Sequence, residues 1–465
     1  MSLFSFGFLA CLAIVFFTYY IVPIKYRYIV LLVASYAFYT AYDIRYTAVL
    51  VCVTLITYFS AYFMKKQKKL CLWTGLLLCI GILLFFRFYR FFEVTKSWDI
   101  VMPLGLSFYL LQAMSYMIDV YKGKTEIITN FLQYSLYVSF FPTILSGPIE
   151  RSTNLLPQIR KGAEFDYDLV KEGIVWMLWG YALKLLISNR FALIVNPIFS
   201  DIANQTGLTI LFGLLFYGIQ LYADFSGYSY IARGLGRVFG FKLVENFRQP
   251  YFTKNINEFW SRWHMSLSNW LRDYVYFSLG GSRCSKQRVY LNLFLTMIIS
   301  GLWHGTGWTY LFWGMLHGVY QVIHRVKVDL FGKKEIVGKF NNILAMIATT
   351  ALFMFTQLFF RVEKLSDGFV AIRNIFINFD IGNTLYTKSF LMGYSPLRFV
   401  LLLAEVVILW IVDIIHNKNM TISGILSTKK IYVRWSVYML LIVCILIGVV
   451  YDYGSNAATF IYAQF

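Results

Sequence analysis

Residues 65–88 read KKQKKLCLWTGLLLCIGILLFFRF. Four lysines in five positions give way to an apolar run that continues to Phe86. About 20 apolar residues in a helix cross the hydrocarbon core of a bilayer. Lysines packed against the end of such a run hold that end on the cytoplasmic side. The stretch is therefore read as a membrane helix entered from a cytoplasmic basic loop.

The same alternation fills the chain. Hydrophobic residues make up 59% of the 465 positions and charged residues 14%, where soluble chains carry about 25% charged residues. No water-soluble core hides that much apolar surface, so the lipid bilayer is the solvent. Aromatics reach 20% (44 Phe, 35 Tyr, 12 Trp), and Tyr and Trp favour the headgroup level that a polytopic chain crosses repeatedly. Apolar stretches fall near 3–22, 28–42, 46–64, 70–88, 100–121, 130–146, 168–198 (with a break), 206–225, 289–302, 305–326, 340–362, 395–415 and 432–451. The expected fold is an all-α polytopic membrane protein of about 11–13 transmembrane or re-entrant helices. Short ones are tolerated only where protein or a water-filled cavity covers their backbone. One membrane-embedded domain over 1–465 is expected, interrupted by polar stretches near 147–167 and 233–288.

The formal charge of +19 does not point to nucleic acid. The basic residues sit in short clusters between apolar runs, such as Lys122 with Lys124, Arg283 with Lys286 and Arg288, Lys333-Lys334 and Lys429-Lys430. That is loop charge, without a continuous basic face or module. Placing Lys65–Lys69 inside after three spans puts the N-terminus outside. Lys25, Arg27, Lys122 and Lys124 agree with that orientation. The segment Phe4–Val22 lacks a positive n-region and is read as a first span, not a cleaved signal. The six cysteines show no CxxC spacing, so neither a disulfide framework nor a thiol metal site is indicated.

Two stretches carry candidate chemistry. Residues 258–270, EFWSRWHMSLSNW, lie in a segment that the spacing predicts as a helix over 256–272. Ile256, Phe259, Trp260, Trp263, Leu267, Trp270 and Leu271 then form an apolar face. Asn257, Ser261, His264, Ser268 and Arg272 form the opposite one. Either this is an interfacial helix with a solvated histidine, or its tryptophans pack on a bundle while His264 looks into a cavity; periodicity does not separate the two.

Residues 300–318 read SGLWHGTGWTYLFWGMLHG. A Gly-Thr-Gly break follows His304, which reads as a structural histidine. His317 falls about twelve residues, roughly 15 Å, into the next apolar run, with Trp313 one turn before it. Gly314 and Gly318 permit close helix approach. An ionisable group at that depth is a functional candidate, and a neutral imidazole there is a competent proton acceptor. His324 and His416 read as solvated. No GxSxG elbow, HExxH or phosphate loop is present, and Gly234-Leu-Gly-Arg-Val-Phe-Gly240 has the wrong spacing for a dinucleotide fingerprint. A deep histidine without a nucleophile motif or metal cluster suits direct acyl transfer, the acceptor supplying its own hydroxyl.

These blocks, taken in order, resemble the membrane-bound O-acyltransferase (MBOAT) family, and most closely its bacterial alginate O-acetylation branch. The resemblance rests on Pro103–Phe108, Tyr116–Tyr121, Phe140–Ile149, Asp224–Ser229, Gly234–Phe241, Glu245–Tyr251, Glu258–Tyr276, Leu302–Gly305, Trp313–Gly318 and the tail Phe460–Phe465. Its core covers about 100–325. It implies a fold with a central tunnel or funnel, a catalytic histidine at His317 and a second signature position at His264. Asn257, Ser261, Ser268, Arg272, Trp303, His304 and Trp313 would line the donor side or the tunnel. It also implies acetyl transfer from a cytoplasmic thioester, acetyl-CoA, with no metal and no permanently bound cofactor. The acceptor would be a hydroxyl of an SGNH-type extracytoplasmic partner or of an exopolysaccharide or cell-wall polymer, and the location a bacterial cytoplasmic membrane. D-alanyl transfer to teichoic acid is the nearest alternative. A polytopic transporter or flippase, with the histidine as proton relay, is the alternative of another class. Arg233 and Ala463 depart from the family pattern, and Arg233 raises the question of a different acceptor or partner contact.

Overall fold

The computed structural model describes residues 3–89, 100, 102–332, 336–418 and 420–452. The tail Phe460–Phe465, with Ala463, lies outside the described residues, as do Lys333 and Lys334. Every described regular element is helical, and a helix forms in each of the thirteen apolar stretches. Seven are long and apolar enough to cross a membrane: Ile44–Phe63, Lys68–Phe88, Tyr167–Ser200, Gly207–Val238, Lys339–Arg361, Pro396–Asn417 and Ile431–Val449. Phe6–Ile21 is apolar but shorter. The chain is a multi-pass membrane protein. The described residues group into two compact units, Met1–Met177 with Tyr228–Glu245, and Leu178–Gly227 with Asn246–Phe465.

The first unit packs around buried tyrosines. Tyr116, Tyr134 and Tyr137 are essentially without solvent contact, and their hydroxyls are used. Tyr134 donates to Thr57 Oγ1 at 2.7 Å, and Tyr116 accepts from the Ile128 amide at 2.9 Å. A buried tyrosine fits lipid-embedded protein only when its oxygen finds such a partner. Gly105 caps the Leu106–Tyr121 helix at φ 71°. A side chain there would collide with the Ile144 carbonyl as well as strain the backbone.

Glu150 ties the Gly147–Glu150 loop to the segment after the Gly207–Val238 helix. Its carboxylate accepts from the Val244 amide at 2.6 Å and from Asn154 Nδ2 at 2.7 Å. Burial pushes this carboxyl up to about 7. Arg233 has partners inside the same unit. It pairs with Glu245 at 3.0 Å and lies over the Trp176 ring, which Arg237 also approaches, at 4.5 and 5.1 Å.

In the second unit the expected break near 168–198 takes the form of a π-helical turn at Leu183–Ser188. Lys184 and Asp224 form a 2.6 Å ion pair there, with side chains 4% and 0% exposed. Ser188 donates to the same carboxylate oxygen at 3.2 Å. The helices Lys286–His304 and Trp308–Phe331 make a close hairpin. A side chain at Gly314 would meet the Met297 carbonyl at 2.6 Å, and one at Gly318 the Phe294 ring at 2.7 Å. The small residues therefore permit the approach that their spacing predicts. Helix Lys339–Arg361 packs against the second arm of this hairpin.

Candidate functional site

His317 is the tenth residue of the 24-residue helix Trp308–Phe331, about 14 Å from its start. Its side chain is completely buried. Trp313, one turn earlier, meets it edge-on at 4.7 Å between ring centroids. Trp260, from the short helix Ile256–Arg262, meets it at 5.0 Å and 84°. Thr356, from helix Lys339–Arg361, brings its hydroxyl oxygen to 2.9 Å from Nε2. Three separate elements thus converge on one imidazole. The other ring nitrogen, Nδ1, is buried and has no hydrogen-bond partner among the described residues. The indole N–H groups of Trp260 and Trp313 are in the same condition. A ring nitrogen and two indole donors, all buried and unmet, make this a candidate place for a polar guest, because buried polar groups in native structures are otherwise paired.

The continuous helix expected over 256–272 does not form. Ile256–Arg262 and Met265–Trp270 are separate helices, followed by a π-helical turn Leu271–Tyr276. The cause is backbone competition. The Arg262 carbonyl accepts from the Arg248 amide at 3.0 Å, and the Met265 amide donates to the Asn246 carbonyl at 2.9 Å. Both groups are thereby drawn out of a helical ladder. Between them His264 takes the left-handed conformation, φ 42° and ψ 54°, which a side chain other than glycine adopts at a cost.

The break turns His264 inward. Its side chain is 1% exposed and its ring lies 4.5 Å from Phe225 and 5.8 Å from Trp303. The solvated-histidine reading is therefore overturned. Asn257, Ser261 and Arg272 remain exposed and Ser268 is half-buried, so His264 does not share their face. His304 ends its helix as expected and is 3% exposed. His324 and His416, expected to be solvated, are both half-buried, His324 within its helix and His416 in the last turn of Pro396–Asn417.

The three buried histidines form one series of rings. His264 meets Trp303, Trp303 meets His304 at 4.8 Å, His304 meets Trp313 at 4.9 Å, and Trp313 meets His317. Of the residues singled out in the sequence, the structure brings together these five and leaves the four polar positions of the 256–272 segment outside. Trp260 and Thr356 contact His317 and were not singled out as site candidates from the sequence. Trp260 was visible only as part of an apolar face, and Thr356 is an ordinary residue of an apolar helix. No cluster of metal-ligand side chains occurs among the described residues.

The regular elements of the described residues are all helical and hold a buried imidazole in mid-helix, and sequence comparison identifies the class. Residues 31–362 match the model of MBOAT, the membrane-bound O-acyltransferase family, and the chain belongs to that family. Among curated relatives it is 37% identical over 334 residues to the probable alginate O-acetylase AlgI of Azotobacter vinelandii, covering 67% of this chain and 66% of the relative. It is 31% identical over 385 residues to the peptidoglycan O-acetyltransferase of Helicobacter pylori, covering 74% and 73%. Likeness to the teichoic acid D-alanyltransferase of Bacillus subtilis is 32% over 235 residues and spans only 48% of this chain and 58% of that one. The match thus spans about two thirds of the length of the alginate relative.

Proposed function

We propose that this protein is a membrane O-acyltransferase that moves an acetyl group from acetyl-CoA on the cytoplasmic side to a hydroxyl on the far side of a bacterial cytoplasmic membrane. The carrying observation is His317, fully buried with Nδ1 and the neighbouring Trp260 and Trp313 indoles unmet. The acceptor's O–H gives its proton to the imidazole as its oxygen attacks the thioester carbonyl. The carbon–sulfur bond breaks, and the imidazolium returns the proton to the departing thiolate, leaving an acetyl ester and a free thiol. General-base help contributes roughly 10²–10⁴-fold. Positioning in a dry site supplies much of the rest.

The indole N–H groups would steady the charge that grows on the carbonyl oxygen. The ring series from His264 to His317 would line the donor's approach. The exposed Asn257, Ser261 and Arg272 would meet the polar body of the donor at the surface, with Ser268 beside them. Relatives named for alginate and peptidoglycan acetylation support a cell-surface polysaccharide as final acceptor, reached through an SGNH-type partner. The N-terminus would face outside. The shorter match to the D-alanyltransferase leaves D-alanyl transfer the weaker reading, and family membership sets the transporter aside.

The test is acetyl-ester formation in cells and vesicles carrying His317→Ala, with acetyl-CoA or an acyl-charged carrier protein as alternative donors. Loss of transfer from acetyl-CoA with a normally folded variant is expected. Normal transfer by His317→Ala, or use of the carrier alone, would refute the assignment.

A further inference from the structure

We propose that Thr356 fixes the tautomer of His317, so that Nδ1, not Nε2, is the atom that takes and returns the proton. The inference rests on the reading of His317 as the base and adds which nitrogen acts and what holds it.

The argument counts protons. Thr356 carries one hydroxyl hydrogen and has two neighbours for it. The Phe353 carbonyl, one turn back in the same helix, lies 2.6 Å from Oγ1, and His317 Nε2 lies 2.9 Å away. A carbonyl can only accept, so the shorter contact takes the hydroxyl hydrogen. Back-bonding of this kind is a common resting state for a helical threonine, whose χ1 is restricted by its branched Cβ. The Thr356 oxygen then meets Nε2 as an acceptor, and Nε2 must carry the hydrogen. A neutral imidazole has one N–H, which leaves the lone pair on Nδ1.

Nδ1 is the nitrogen without a hydrogen-bond partner among the described residues. The donor-only indoles of Trp260 and Trp313, with rings 5.0 and 4.7 Å from the imidazole, are likewise unmet. With Nε2–H held by Thr356, the lone pair on Nδ1 is left for a guest, in a site that also holds the two unmet indole donors. The opposite tautomer would spend the only basic nitrogen on Thr356 and leave none for the acceptor. During turnover Nε2–H stays on Thr356, Nδ1 receives the acceptor's proton, and the same proton passes from Nδ1 to the thiolate. Thr356 touches no reacting atom. It is a positioning residue.

The direct measurement is solid-state ¹⁵N spectroscopy of histidine-labelled protein in bilayers, with His317→Ala identifying the His317 signals by difference. Nδ1 is expected as the unprotonated and Nε2 as the protonated nitrogen. Thr356→Val should mix the tautomers and lower kcat for acetyl-CoA consumption by membrane vesicles about 10–100-fold, part of what a positioned base contributes. KM should stay within about twofold. Thr356→Ser, which restores the hydroxyl, should restore both spectrum and rate. A protonated Nδ1 in the native protein, or Thr356→Ser no better than Thr356→Val, overturns the role of Thr356 even when His317→Ala is inactive. Full activity in His317→Ala overturns the underlying assignment whatever the spectrum shows.

Discussion

The Trp260 ring stands edge-on to the His317 imidazole, centroids 5.0 Å apart and planes at 84°. The two come from segments some fifty residues apart, Trp260 from the short helix Ile256–Arg262 that ends just before the break at His264.

Trp260→Phe keeps most of the ring area and removes the indole N–H. If that N–H steadies the developing oxyanion, kcat should fall about 10²–10³-fold with little change in KM, as when one such donor is deleted elsewhere. Thermal stability in detergent should change by under about 1.5 kcal/mol, the range of near-isosteric core swaps. A rate within twofold of native would remove Trp260 from the chemistry.

His264 separates strain from function. Glycine adopts φ 42° without cost, so His264→Gly should leave the bend intact, the lost packing being offset by roughly 1 kcal/mol of relieved backbone strain. His264→Ala loses the ring and keeps the strain, so it should melt lower than His264→Gly. If the imidazole serves the donor side, both variants lose acetyl transfer equally. Activity retained by glycine alone would show that the position matters only as a turn.

How far the sequence foretold this depends on the kind of information. Hydropathy and lysine clusters made the membrane helices legible, because the bilayer imposes length and backbone pairing on any span. The buried mid-helix position of His317 was legible from the length of its apolar run, and the close approach at Gly314 and Gly318 from their spacing. The break at His264 was not. It arises from backbone hydrogen bonds to Asn246 and Arg248, a non-local competition that no 3.6-residue period records. The periodic pattern of the tryptophans was genuine, yet it described two short helices and not one long one. Thr356 was invisible for a simpler reason: its hydroxyl acquires meaning only from the imidazole opposite. Arg233, which stood out as a departure from the family pattern, has local partners in Glu245 and Trp176, so its presence requires no altered acceptor.

The Lys184–Asp224 pair predicts an asymmetric cost. Removing one partner leaves an uncompensated charge in a buried place, worth about 3–5 kcal/mol, whereas replacing both with apolar residues of similar volume is often neutral. Lys184→Met alone should therefore sharply lower the yield of folded protein in detergent, and Lys184→Met with Asp224→Leu should recover most of it. Thermal melts of the two single variants and the double variant test this. Equal losses in single and double variants would mean that the pair contributes more than mutual neutralisation.

Glu150 supplies a dependence on pH whose sign follows from its burial. Its carboxyl is pushed up to about 7 in the folded protein, against about 4.3 in an unfolded chain. Between those values the folded state keeps a proton that the unfolded state has released. This group's contribution is therefore fully present below about pH 4, declines as pH rises, and is lost above about pH 7. The integrated effect is of the order of 4 kcal/mol. Native protein should accordingly melt lower at pH 8 than at pH 5.5, beyond any trend shared with Glu150→Gln, which does not titrate. Melting curves of both proteins across pH 5–8 in one detergent provide the check. Parallel curves would mean that Glu150 ionises in the folded state as readily as in the unfolded chain, its hydrogen bonds from Asn154 and the Val244 amide fully offsetting the loss of water.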